Sequence, residues 1–303
     1  MPNDCTFWDR FLQTLSQINQ LAKALTRDDA LGAEYYILID DLDLHWRDSP
    51  LQNSFLAALL LSIRRFAGSP RIKFVVSLRN YIFERIDVPE KDKVRDSVVS
   101  VRWDSTEIRS MIESRLSHLH ERIRPYIWSD VFPRRTFDVI REHTDGTPRE
   151  CIRLAALILI EAKRNGHPFA YAEDTEAALV QFAGERLSDL ASVRQADLRS
   201  IDRVARRLVK IGTEFSYNGL EELAIDLAAE VESKSTDGMA FSWAGGYYER
   251  PLDLAKVLLE AGLLQYKPSR TVKPQDFDNH VHMISEKSWY AVHPKYKRAI
   301  FGS

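Results

Sequence analysis

The apolar run Tyr35-Tyr36-Ile37-Leu38-Ile39 ends in Asp40-Asp41-Leu42-Asp43, so three carboxylates fall within four residues. Aromatic and β-branched side chains in a short apolar run favour a buried strand. Acids at the C-terminal tip of such a strand face a ligand, because open α/β sheets bind at the carboxyl ends of their strands. Mg²⁺ suits that tip, since it prefers hard carboxylate oxygens and keeps several of its waters. Asp40 then stands where the metal is held, and Asp41 where a base polarises an attacking water. Asp43 caps or orients the loop. The competing reading is a surface turn after a strand, where adjacent aspartates are common.

Composition narrows the class. The chain has 303 residues, 45% of them hydrophobic and 28% charged, with a net charge of −2. These values are those of an ordinary globular protein with two or three domains, and they supply no basic field for nucleic acid or membrane. Cys5 and Cys151 are the only cysteines, too few for a disulfide framework or a metal spacing. The eight histidines are scattered, and His280 and His282 do not form a zinc signature. No apolar run approaches the ~20 residues of a spanning helix. The N-terminus has no signal-peptide pattern. The expected setting is the reducing cytoplasm.

Periodicity then organises the chain. Phe7, Phe11, Leu15, Ile18, Leu21 and Leu25 predict a helix over 6–25. A strand at 35–39, a helix at 51–67 and a strand at 72–78 follow, with Arg79-Asn80 at the second strand's tip. Asn80 is placed to cap a short helix from Tyr81 to Ile86. A short strand from Val98 to Val101 leads to Trp103 and a helix over 104–119. Beyond 120 the pattern is helical: 134–144, 149–165, 172–190, 197–211 and 217–233, then a Gly- and aromatic-rich loop from Gly238 to Tyr248. The end reads as a helix over 251–261 stopped by Gly262 and a strand over 263–267. A hairpin of 281–285 against 289–293 and a basic terminal helix complete it. The front alternation argues for a parallel sheet, and three strands are few enough that they form one portion of a larger one.

Two further constellations carry chemistry. Parallel neighbours end on the same edge, so Arg79 is placed near the acids, where an arginine stabilises charge on a γ-phosphate. Its alternative is a salt bridge to Glu84 or to an acid of the strand tip. Gly146-Thr147-Pro148-Arg149 opens a helix, with proline pre-organised for the first turn and Arg149 placed to meet a phosphate. In the terminal region Lys295, Lys297 and Arg298 with Tyr296 form a small basic patch, whereas the helix 251–261 carries Asp253 and Glu260 beside Lys256. Protein packing is the favoured role there over DNA contact.

Taken together, YYILIDDLD, FVVSLRN and GTPRECIRL resemble the Walker B strand, the sensor-1 strand and the sensor-2 start of a helical lid. The resemblance is to P-loop ATPases of the STAND and KAP-like kind, within the broader AAA+-like group. The layout after 197, ending in His-Pro-Lys-Tyr-Lys-Arg, looks like their helical linker and winged-helix domain. The resemblance implies an α/β fold followed by a mostly α part. Residues 1–119 are the partial P-loop core, 120–196 the helical lid, and 197–303 the linker and winged-helix-like domain. It also implies Asp40 for Mg²⁺, Asp41 for water activation, Arg79 as sensor 1, and Asn80 and Arg149 at the nucleotide.

Such families need a strand–GxxxxGK[ST]–helix unit before the Walker B strand. No such motif occurs in the 303 residues, and only 34 precede Tyr35. The chain is therefore expected to be the C-terminal portion of a signalling ATPase, or a chain that has lost nucleotide binding. In the first case ATP and Mg²⁺ bind only in the complete protein, and partners are further copies or an effector, with a role in bacterial antiviral defence. In the second it is a non-catalytic regulatory or DNA-binding winged-helix module.

Overall fold

A computed structural model describes residues 34–43, 46, 49–66, 71–79, 82–83, 86–89, 91–101, 103–119, 127–195, 197–234, 236–274 and 284–302. It also describes 13, 16, 17 and 20. Most of the predicted helix 6–25, Asn80 and the 281–283 part of the predicted hairpin lie outside the described residues. The fold is mixed α/β and mostly helical, with one parallel pair of strands and one antiparallel sheet. It divides into two compact units, Met1–Val101 and Arg102–Ser303.

In the first unit β1 (Tyr35–Ile39) and β2 (Ile72–Val76) pair in parallel, with Tyr35 opposite Ile72 and Ile39 opposite Val76. Between them runs α1 (Pro50–Arg64). Ser49 caps it: its hydroxyl accepts the Gln52 N–H, and Gln52 reaches back to the Ser49 N–H. This reciprocal capping box satisfies two orphan donors, and Pro50 at the first position has no donor to lose. α1 buries Leu56, Ala57 and Leu60 in a small core with Ile82, Phe83, Ile86 and Val88. Tyr36, Leu38 and Val75 of the two strands are 63%, 74% and 53% exposed. A short helix α2 (Lys91–Arg95) follows.

The predicted strand Val98–Val101 is corrected. The segment has no strand structure, and Val99 and Val101 are 85% and 83% exposed. Its valines suit a pleated surface, but β preference is realised only against a neighbouring strand.

The second unit opens with α3 (Ser105–Leu119). Asp104 accepts the Thr106 and Glu107 N–H groups at 2.7 and 2.8 Å, and Glu107 accepts the Asp104 N–H at 2.8 Å. Helices α4 (Ile127–Val131), α5 (Thr136–Glu142), α6 (Pro148–Arg164) and α7 (Ala172–Val193) complete the helical part. Ile108, Ile112 and Leu116 of α3 pack with Trp128, Ile140, Leu154, Ile158 and Phe182. The sequence placed 104–119 with the α/β part; this shared core places it with the helices instead. No division falls at 196. α7 buries Ala178, Leu179 and Phe182 in the helical core and Leu187 and Leu190 in the terminal one, so it is common to both.

The terminal part runs α8 (Ile201–Arg207), a 3₁₀ turn (Leu208–Lys210), β3 (Glu214–Ser216), α9 (Tyr217–Glu232) and α10 (Thr236–Ala240). A second 3₁₀ turn (Ser242–Tyr247) leads to α11 (Pro251–Glu260), β4 (Leu264–Lys267), β5 (Trp289–Val292) and α12 (Pro294–Phe301). Gly262, at φ +72°, ends α11 as expected of a left-handed stop. The sheet order is β3-β5-β4, antiparallel throughout. That order corrects the predicted hairpin: β3 and β4 occupy both edges of β5, and Ser285 sits in a turn rather than a strand. Tyr290 of β5, fully buried, lies between Phe215 and Tyr266 at the centre of the terminal core.

Candidate functional site

The parallel register puts both strand tips on one edge. The Ser77 N–H donates to Ile39 O at 2.9 Å, which fastens the chain after β2 to the end of β1. Asp40 and Asp41 are exposed there. Asp41 adopts a left-handed backbone at φ 59°, and its N–H donates to Asp40 Oδ1 at 2.9 Å. Aspartate tolerates this conformation better than most residues because its short side chain bonds locally.

Arg79 reaches the acids, and its partner is Asp43. The guanidinium Nε forms an ion pair with Asp43 Oδ2, the arginine side chain 66% exposed and the aspartate 21%. This is the strand-tip salt bridge that the sequence offered as one of two readings. The Ile82 and Phe83 N–H groups donate to Arg79 O at 3.0 and 3.1 Å.

The residues present fit part of the implied ligand. One exposed carboxylate, with waters and phosphate oxygens making up the rest, is a usual way to hold Mg²⁺, and Asp40 can supply it. Among the described residues no group of three or more His, Cys, Asp or Glu side chains is arranged to hold a metal ion. The sequence has no glycine-rich cradle of the kind that holds a nucleotide's phosphates.

Arg149 belongs to the second unit. Thr147 caps α6, its hydroxyl accepting the Glu150 N–H, and Gly146 turns the chain into the cap at φ +68°. Arg149 is exposed, with no hydrogen-bond or ion-pair partner among the described residues. A cation in a first helical turn faces the positive end of the helix dipole.

Around that turn lies a charged cluster that the sequence did not disclose. Lys295 Nζ donates to both oxygens of Asp145, at 2.6 and 2.5 Å. His293 Nε2 stands 3.3 Å from Asp145 Oδ1. The Asp145 N–H donates to Glu150 Oε2 at 2.7 Å. Burial works against the Lys295 ammonium, yet Tyr296, Asp145 and Glu150 around it raise its pKa above the ordinary lysine value. Burial raises the Glu150 pKa, and the nearby Asp145 carboxylate adds to the rise. Arg298 pairs with Glu176 on α7. Two of the three cations in the basic patch are thus neutralised within the fold, and Lys295 is buried.

A second buried acid organises the turn between α6 and α7. Asp174, fully buried, accepts from the Tyr171 N–H (2.8 Å), Asn165 Nδ2 (2.7 Å) and His167 Nδ1 (2.9 Å). Burial pushes its carboxyl up, but these three donors hold it below the usual aspartate range.

No protein-family model matches the chain, and no curated protein matches it either. Among the described residues no helix is long and apolar enough to cross a membrane.

Proposed function

We propose that the chain is the portion of a nucleotide-controlled signalling ATPase, of the STAND and KAP-like kind, that carries the catalytic acids, the lid and the terminal domain. Its phosphate-binding unit lies outside these 303 residues. One observation carries this reading: β1 and β2 pair in parallel and in register, so Asp40, Asp41, Asp43 and Arg79 share one sheet edge. In the proposal Asp40 holds Mg²⁺, Asp41 activates water, and Arg79 leaves Asp43 for a γ-phosphate. Asn80 and Arg149 contact the nucleotide. The terminal order of helix α8, strand β3, helices α9, α10 and α11, then β4 and β5 closing a β3-β5-β4 sheet, supports a winged-helix reading of that domain. Its partners in this reading are further copies of the protein or an effector, in bacterial defence.

The test has two arms. Calorimetry of the 303-residue chain with Mg-ATP should show no micromolar binding, because the lysine and backbone amides of a phosphate loop supply those contacts. In the complete protein, Asp41→Asn should lower hydrolysis by about 10²-fold or more while sparing binding, as for loss of a general base. Asp40→Asn should instead weaken the dependence on Mg²⁺. Parent-rate hydrolysis by both variants defeats the assignment.

The second reading is a non-catalytic regulatory module, and the missing phosphate cradle together with the Arg79–Asp43 pair favours it. In that case neither substitution changes a nucleotide-dependent property. DNA binding gains little support, since Lys295 and Arg298 are engaged by Asp145 and Glu176.

A further inference from the structure

The turn 144–150 is fastened at three places. Thr144 Oγ1 donates to Ile140 O at 2.8 Å and accepts the Gly146 N–H at 3.3 Å, which ties the turn to α5. Glu150 takes the Asp145 N–H, which ties it to α6. The third fastening comes from the far end of the chain, through Lys295 and His293.

That third fastening is built into the start of α12. The Lys295 N–H donates to His293 Nδ1 at 3.2 Å, so the imidazole caps the helix. With Nδ1 accepting, the ring proton sits on Nε2, the atom that faces Asp145. One ring therefore caps α12 and holds the turn, while the next helical residue but one grips the same carboxylate by both oxygens. The charged groups around the cluster are Glu150, Arg186, which stands 3.7 Å from Glu150, and Asp189 beyond it. α12 is held to α7 separately, through Arg298 and Glu176.

We propose that Lys295 is a positioning residue: by gripping Asp145 it makes the geometry of the Arg149-bearing turn depend on the seating of α12. The grip itself stands on the geometry alone. Its consequence for ligand rests on the reading of Arg149 as a phosphate contact. Under that reading, a nucleotide phosphate at Arg149 and the seating of α12 are coupled reciprocally, each strengthening the other. An unfastened turn presents Arg149 in many orientations and binds the anion more weakly.

Hydrogen exchange on the whole 303-residue chain tests the grip without any nucleotide. In Lys295→Met, exchange at the Asp145, Gly146 and Glu150 amides should rise roughly tenfold, while the amides of β5 and of central α6 keep their protection. Lys295→Arg should restore the parent rates at the turn. Asp145→Asn is the second variant, with the same expected readout, and serves if Lys295→Met does not fold. Unchanged exchange at these three amides in a folded variant overturns the proposal. So does a uniform rise across the second unit, which marks general destabilisation. The nucleotide arm uses the complete ATPase: Arg149→Ala should abolish any effect of Lys295→Met on Mg-ATP affinity. If Lys295→Met moves the turn amides but Arg149→Ala leaves Mg-ATP affinity intact, the grip stands and the ATPase reading of Arg149 falls.

Discussion

Lys295 holds Asp145 by both carboxylate oxygens across 150 residues of sequence. The two partners are not equally buried: the lysine side chain is 8% exposed and the aspartate 43%. Removing either therefore has a different consequence. Asp145→Ala strands a buried ammonium and should cost about 3 kcal/mol, the order seen when a buried pair loses one partner. Lys295→Met leaves an aspartate that water can reach and keeps the apolar stem, so its cost should be about 1 kcal/mol. Urea denaturation of both variants and of the double mutant measures the asymmetry; equal losses would show that the lysine is solvated in solution.

Asp174 should govern acid stability. Its folded pKa is depressed, so its contribution is complete above the ordinary aspartate value of 3.8 and declines as pH falls through the folded one. Thermal melts of the parent should lose stability below about pH 4, and Asp174→Asn should flatten that part of the profile. At pH 7 the substitution should cost about 1–3 kcal/mol, since charge-assisted bonds are lost and one buried donor is left facing an amide.

Glu150 carries the opposite sign. Its folded pKa is raised by burial and by Asp145, so its contribution is present below 4.5 and is lost as pH rises through the folded value. Glu150→Gln keeps an acceptor for the Asp145 N–H and removes the buried charge. The variant should melt higher than the parent at pH 7, and the gap should close as the pH is taken below 4.5. A lower melting temperature at pH 7 would mean that Arg186 and Lys295 need the full carboxylate.

Arg149→Ala should leave the melting temperature of the chain unchanged or slightly raised. The arginine has no partner among the described residues, and a first-turn cation is disfavoured by roughly 0.3–1 kcal/mol. A clear loss of stability would reveal a structural ion pair and remove the case for a phosphate contact there.

Local chemistry made the main elements readable. Thr147 with Pro148, and Gly262, each announce a helix boundary from a few adjacent residues, and the runs at 35–39 and 72–78 announce strands. The nearness of Arg79 to the acids after β1 was readable too, and the pair it forms with Asp43 is the salt-bridge alternative. What failed depended on partners distant in sequence. Val98–Val101 has the residues of a strand but no strand to pair with among the described residues. The local turn before β5 suggests a hairpin, yet β3, too short to stand out at three residues, takes that edge. Lys295 sits in Pro-Lys-Tyr-Lys-Arg, which has the look of a solvated basic run; nothing nearby signals an acid in a turn 150 residues earlier.

The exposed apolar side chains of the β1–β2 pair have a practical consequence. Among the described residues Tyr36, Leu38 and Val75 project from a sheet two strands wide, and Val99 and Val101 add exposed β-forming surface in the same unit. Unpaired strand edges and bare apolar faces are templates for adding another chain. Expressed at high concentration, this unit should aggregate before the helical and terminal parts lose structure, with turbidity rising steeply with protein concentration. Charged substitutions at Leu38 and Val75 should suppress that turbidity and leave the terminal core intact.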